Sequence, residues 1–145
     1  MKVERLTPAH LRQLELQDAQ RFFADELRSD DYVAALAGSE HAFAFFSGGR
    51  LVCCAGCIEM WPGRAIMWAL MSRDAGQAML GLYRCGMGFL AAAKWRRVEI
   101  LVDEGFEPGH RFAEMLGFRL ETPEPMRAYR PDGRACFLYA RVKNG

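Results

Sequence analysis

Arg73-Asp74-Ala75-Gly76-Gln77-Ala78 follows an apolar run and opens a stretch of helical periodicity. A turn entering a helix presents unpaired backbone N–H groups, the helix dipole favours negative charge there, and a glycine lets the backbone approach a phosphate closely. The chemistry suggested is the cradling of a phosphorylated ligand. A plainer account is also open, in which Ser72 or Asp74 only caps the helix and Gly76 fits beneath a neighbouring side chain. Asp74 brings negative charge to the place a phosphate would take, which counts against tight binding.

Four other residues are candidates for moving protons. Glu59 lies near the end of an apolar run and is the carboxylate best placed to act as a base, although a carboxylate near a turn is often simply solvated. His110 opens a short helix and titrates near neutral pH, so it can serve as a base or as a surface histidine. Tyr129 and Tyr139 flank the last turn and can act as acids, or pack as cross-strand aromatic residues. Cys53, Cys54 and Cys57 include a C-x-x-C, but within a strand neighbouring side chains alternate faces and do not converge on one metal ion. Buried structural thiols are the better account, and no metal site is expected. Arg127, Arg130 and Arg134 gather at the final turn, where exposed arginines ordinarily form a solvated face or meet a phosphate or partner.

These residues must be positioned by elements with recognisable local signals. Lys2 to Leu6 alternates as a strand, and Thr7-Pro8 gives an N-cap followed by proline at the first helical position. Leu11 and Leu14, then Phe22, Phe23 and Leu27, recur at helical spacing, and Asp30 or Asp31 caps a turn running through Leu36 to a stop at Gly38. His41 to Phe46 and Leu51 to Met60 flank Ser47-Gly48-Gly49-Arg50 as a hairpin. After the turn Trp61-Pro62-Gly63-Arg64, the almost unbroken apolar segment Ala65 to Met71 is expected to be a strand buried on both faces.

A long helix is expected from Ser72 to about Ala93, with Gly81, Gly86 and Gly88 marking close packing on the sheet rather than helix strength. Val98 to Val102 is a buried strand, and Pro108 starts a helix with Phe112, Met115 and Leu116 as its apolar face and Gly117 as its left-handed cap. Phe118 onward is a strand, turned by Pro131-Asp132-Gly133 into a last strand from Ala135 to Val142. The order predicts an α+β fold on one central mixed β-sheet flanked by helices.

With 145 residues, of which 51% are hydrophobic, the chain suits a single domain over residues 1–145 with one core and no staples. Nineteen Lys and Arg against 18 Asp and Glu leave no broad basic surface for nucleic acid. Five cysteines, an odd number without regular spacing, favour reduced thiols in a cytoplasm. The N-terminus has no apolar leader and no apolar run approaches the roughly 18 residues needed to span a bilayer, so a soluble, unexported protein is expected.

The strand from Val98, the short helix closed by Leu116-Gly117-Phe118 and the following hairpin, with the element order on both sides, resemble a GNAT-type N-acetyltransferase along essentially the whole chain. Arg73 to Ala78 fits the [QR]-x-x-G-x-[GA] loop of that superfamily. The resemblance implies a central twisted sheet and acetyl-CoA held by Met71, Arg73, Gly76, Gln77 and Ala78. Glu59, His110 and Tyr129 then become the candidates for catalytic proton transfer to and from an unidentified amine and the leaving thiolate. Two departures fall in one stretch: the tyrosine acid of the superfamily corresponds to Ala113, and an often-seen asparagine corresponds to Phe106. Trp68 to Ser72, His110 with Phe112 and Gly117, and Asp132-Gly133 before Phe137 resemble most closely short phage-encoded GNAT-like proteins related to the small internal virion protein of podoviruses. That leaves three functions open. One is acetyl transfer from acetyl-CoA; another is a degenerate fold in the host cytoplasm that binds a host protein; the third is a minor virion component. A homodimer is left open as well.

Overall fold

The computed structural model describes residues 1–18, 20 and 29–143. Its strands and helices in chain order are β1 (Lys2–Arg5), α1 (Pro8–Gln13), α2 (Asp30–Ala37), β2 (His41–Ser47), β3 (Arg50–Trp61), β4 (Arg64–Met71), α3 (Met79–Ala92), β5 (Arg97–Asp103), α4 (Glu107–Met115), β6 (Arg119–Leu120) and β7 (Cys136–Val142). The strands form one seven-stranded sheet in the order β1-β2-β3-β4-β5-β7-β6. β4 and β5 run parallel, while the β1/β2, β2/β3, β5/β7 and β6/β7 pairs are antiparallel, so the sheet is mixed, as expected. The expected helical residues Phe22, Phe23 and Leu27 lie outside the described residues.

The chain divides into two compact units, Met1–Ile58 with Trp68–Cys85, and Glu59–Met67 with Gly86–Gly145. In the first, local signals set the ends of elements. The Thr7 side chain accepts from the His10 N–H and the His10 side chain reaches back to Thr7, a capping box followed by Pro8. α2 is capped by the Ser29 hydroxyl rather than by an aspartate, and Asp30 and Asp31 occupy its first turn, where the dipole favours them. Gly48 and Gly49, at φ +57° and +78°, make the two-residue turn between β2 and β3, which needs positive φ at both positions. One apolar cluster joins Leu11, Leu14, Val33 and Leu36 to Ala44, Cys54 and Leu70, with Trp68 packed against it. A second joins Cys53 and Ala55 to Ala75, Ala78 and Leu82, with Ala69 and Met71 alongside. Neighbours along β3 and β4 thus enter different clusters, as period-two alternation demands.

The strand buried on both faces is β3, from Leu51 to Cys57, and not β4, where only Ala65 and Leu70 are fully buried. The ladder between β4 and β5 is short, running from Arg64/Arg97 to Ile66/Glu99. α3 also begins later than its periodicity suggests, because Ala75–Ala78 form a tighter 3-10 turn before it.

In the second unit α4 ends as expected. Gly117 has φ +88°, the Phe118 N–H donates to the Ala113 carbonyl and the Gly117 N–H to that of Glu114, which is a Schellman closure with buried Phe118 as its apolar partner. The buried face of α4 carries Ala113 and Leu116, whereas Met115, expected on that face, is 57% exposed. Gly86 packs against Leu116, where a Cβ would stand 3.1 Å from Cδ2, so this glycine meets a helix cap; Gly81 meets Met1 and Gly88 faces open space. β6 has only two residues, and the chain from 121 to 135 is irregular apart from the Met126↔Cys136 bridge. Pro123, Pro125 and Pro131 supply no ladder N–H there, so the expected terminal hairpin shrinks to its far end.

Candidate functional site

The chain passes from β4 into α3 through the 3-10 turn Ala75–Ala78 and not directly into the first turn of the long helix. Gly76 is exposed and nothing lies within 4 Å of the place its Cβ would occupy, so a bulky anion has access to the backbone there. Its charges are already engaged. Arg73 donates to Glu15 through Nε at 3.2 Å and Nη2 at 2.9 Å, and Asp74 faces Arg50 at 3.7 Å. Asp74 makes no side-chain cap, Ser72 Oγ accepts from the Asp74 N–H at 3.1 Å, and the 3-10 turn ties N–H groups to carbonyls three residues back. Gln77 is exposed and Ala78 buried, so of this pair only Gln77 presents a side chain to a ligand.

Met71 does not offer a bare strand edge. Its N–H donates to Gln20 Oε1 at 2.8 Å, and its carbonyl accepts from the Gln17 N–H at 2.9 Å. Gln20 Nε2 donates to the Ala69 carbonyl at 2.8 Å, and the Arg73 N–H donates to the Glu15 carbonyl at 3.1 Å. Gly76 is therefore sterically open, while the backbone of Ala69 and Met71 is already engaged by Gln20. Nothing in the sequence marked Gln20. Trp68, one residue earlier on β4, holds its indole N–H buried with no acceptor, a second feature that spacing did not reveal.

In the second unit His110 and Tyr139 come together. His110 Nδ1 lies 2.7 Å from the Tyr139 hydroxyl and Nε2 lies 3.2 Å from the Asp103 carbonyl, with the ring edge-on to Phe137. A carbonyl only accepts, so in the neutral ring Nε2 carries the proton and Nδ1 accepts from the tyrosine. His110 is thus half-buried in a hydrogen-bonded pair, and not the plain surface histidine of the blander reading. Tyr139 is 3% exposed, and burial, followed by the charges of Glu114 and Glu107, pushes its phenol above the ordinary value, which keeps the O–H donor in place.

Asp103 was missed by the sequence reading because its partners lie far along the chain. Its buried Oδ1 accepts from Arg130 Nε at 2.9 Å and from the Cys136 thiol at 3.2 Å, while Oδ2 is buried without a hydrogen bond. Arg130 therefore does not belong to a solvated arginine face, and Arg134 pairs with Asp132 at 3.1 Å and faces Asp103 Oδ2 at 4.0 Å. Arg127 is exposed as expected.

Glu59 and Tyr129 are not assembled with this pair. Glu59 Oε1 accepts from the Trp95 indole at 2.8 Å, and Tyr129 stands 48% exposed in irregular chain, not on a strand. Among the described residues neither shares a hydrogen bond with His110. The two departures are filled by packing. Ala113 is 1% exposed, and the Phe106 ring lies over Gly109 so closely that a Cβ there would be 2.6 Å from Cδ2.

Burial pushes the Cys54 and Cys57 thiols up to about 12 and Cys136 to about 11, with Cys53 raised further, so all four remain protonated thiols. All five cysteines are free. Among the described residues no group of His, Cys, Asp and Glu is arranged to hold a metal ion. No helix among them is long and apolar enough to cross a membrane.

No family model and no curated protein matches the chain. Solved structures do. Ard1 from Thermoplasma volcanium superposes with a TM-score of 0.76 at 12% identity, covering 99% of this chain and 98% of that one. A GNAT-family acetyltransferase from Bacillus anthracis gives 0.69 at 11% identity over 97% and 93% of the two chains. Another, from Streptococcus pneumoniae, gives 0.63 at 12% identity over 99% of each. At such identities the likeness is one of architecture. Taken with the strand order and the turn from β4 into α3, it shows that the chain has the fold of the GNAT acetyltransferases.

Proposed function

We propose that this chain is an N-acyltransferase that takes acetyl-CoA as its acyl donor and an amine as its acceptor. The observation that carries the reading is the open turn at Gly76, set between β4 and α3 in a GNAT-type fold. Acetyl-CoA would place its pyrophosphate at Gly76 and Gln77 and its pantetheine arm along Ala69 to Met71. The amine nitrogen attacks the thioester carbonyl carbon, the C–N bond forms as the C–S bond breaks, and the thiolate leaves and takes a proton. Holding the two reactants in line contributes most of the acceleration.

A candidate proton donor in this reading is His110, whose imidazole is oriented by the Tyr139 hydroxyl that donates to Nδ1. Glu59 is the proposed base and Tyr129 an alternative acid. Calorimetric titration with acetyl-CoA tests the reading: saturable binding is expected, weakened by Gly76→Glu, which adds negative charge in open space. Absence of binding at high micromolar ligand, or binding indifferent to Gly76→Glu, would sink it.

A second reading is a phage GNAT-fold protein that binds a host protein without chemistry. It is favoured by the buried Ala113 and by the engaged edge of β4. A pull-down from host lysate under mild salt is its test, and failure to recover a partner counts against it.

A further inference from the structure

On the side of β4 away from β3, beyond the end of its ladder with β5, lie the Ala69 carbonyl, the Met71 N–H, the Met71 carbonyl and the Arg73 N–H, while the Val52 carbonyl of β3 takes the intervening Ser72 N–H. Residues two apart on a strand present their polar groups to the same side, so these four form one continuous edge. A bare strand edge is a template for an extended amide-bearing chain. Here every one of the four groups is taken by Glu15, Gln17 or Gln20. Glu15 and Gln17 use their backbones, and Leu16 bridges Ser72 in antiparallel fashion. Gln20 uses its side-chain amide, which donates to Ala69 and accepts from Met71 as a peptide group would. Gln17 Nε2 steadies it by donating to Gln20 Oε1 at 3.0 Å. Arg73, the cation of the adjacent turn, is held by the same segment through Glu15.

We infer that the Gln20 side-chain amide is an internal placeholder for an amide of an incoming ligand, so that the Glu15–Gln20 segment inhibits binding until it is displaced from β4. This rests on the acetyl-CoA reading, because the pantetheine arm is an extended chain with two amides. Displacement frees the Ala69 carbonyl, the Met71 N–H and Arg73 together, coupling the arm of the ligand to its phosphates.

The test is titration of wild type, Gln20→Ala and Gln20→Asn with acetyl-CoA and separately with pantetheine, with amide hydrogen exchange at Gln17 and Met71. Asparagine keeps the amide but is one methylene too short, so it guards against an alanine variant that folds poorly. Both variants are expected to bind acetyl-CoA about tenfold more tightly than wild type, the equivalent of two modest hydrogen bonds no longer broken. In wild type, ligand should deprotect the Gln17 N–H while Met71 stays protected. Equal affinities with Gln17 still protected would overturn the placeholder and leave the acetyl-CoA reading standing. Pantetheine bound by the variants without acetyl-CoA binding would support the placeholder and overturn the coenzyme reading. Failure of the variants to bind either probe overturns both.

Discussion

Replacing Glu99 with glutamine removes the charge at the centre of an ion network. Glu99, whose side chain is 7% exposed, receives Arg64 Nε and Nη2 on its two oxygens at 2.8 Å each and Arg97 Nε at 2.6 Å, and Arg97 continues to Glu121 at 3.1 Å. Arg64 belongs to β4 and Glu99 to β5, so this carboxylate sits at the short parallel ladder between them. Removing one partner of a buried pair costs about 3–5 kcal/mol. Because the arginines remain 26% and 30% exposed, water relieves part of that, and about 2–3 kcal/mol is expected. For a chain of this size the loss amounts to a melting temperature lower by roughly 5–10 °C. The hydrogen bond from Arg64, more than any other interaction, holds the Glu99 carboxyl below its ordinary value of 4.5. A folded-state value below the unfolded one means the stabilisation is complete above about pH 4.5 and is lost as pH falls through the folded value. Urea melts of wild type and Glu99→Gln should therefore differ by a constant amount between pH 7 and 5, and the gap should narrow progressively as pH falls below 4.5 and through the folded value. A difference under about 0.5 kcal/mol at pH 7, or a gap that persists or widens in acid, would refute the argument.

Tyr139→Phe leaves His110 Nδ1 without its donor; stability should fall by about 1 kcal/mol, and if the pair supplies the proton in acyl transfer, kcat should fall by about a hundredfold, read in a thiol-release assay. Gly109→Ala would drive a methyl group into Phe106 and should cost about 1–3 kcal/mol in a thermal melt, whereas Gly76→Ala, in open space, should cost little. With Cys53, Cys54, Cys57 and Cys136 buried and protonated, a disulfide thiol reagent at pH 8 should titrate no more than Cys85 in the native protein and all five cysteines in denaturant.

Whatever depends on a few adjacent residues could be read from the sequence. Thr7-Pro8 opens α1, Gly48-Gly49 turns β2 into β3, and Gly117 closes α4, because each is a local requirement of backbone geometry. The succession of strands and helices along the chain followed from hydrophobic runs and their turn signals. The site was less visible because its contacts are distant in the chain. Asp103 meets Arg130 27 residues later, His110 meets Tyr139 29 later, and Gln20 meets Met71 51 later, and no periodicity encodes such meetings. Tyr129 was misplaced on a strand because the proline-containing run to Pro131 sits between two segments that do read as strands. The burial of β4 was overestimated for a different reason: an apolar run reports what a strand tolerates and not what packs on its faces.

The alliance of Gln20 with β4 also bears on how the chain survives before any ligand arrives. An uncovered strand edge invites the edge of another molecule, and charged side chains or a covering loop are what normally prevent it. In this protein the cover at Ala69 to Arg73 is made from the chain's own glutamines and Glu15. A variant improved for ligand capture by losing Gln20 would therefore spend its unliganded life with adhesive backbone exposed, and its gain in affinity would be matched by a greater tendency to self-associate.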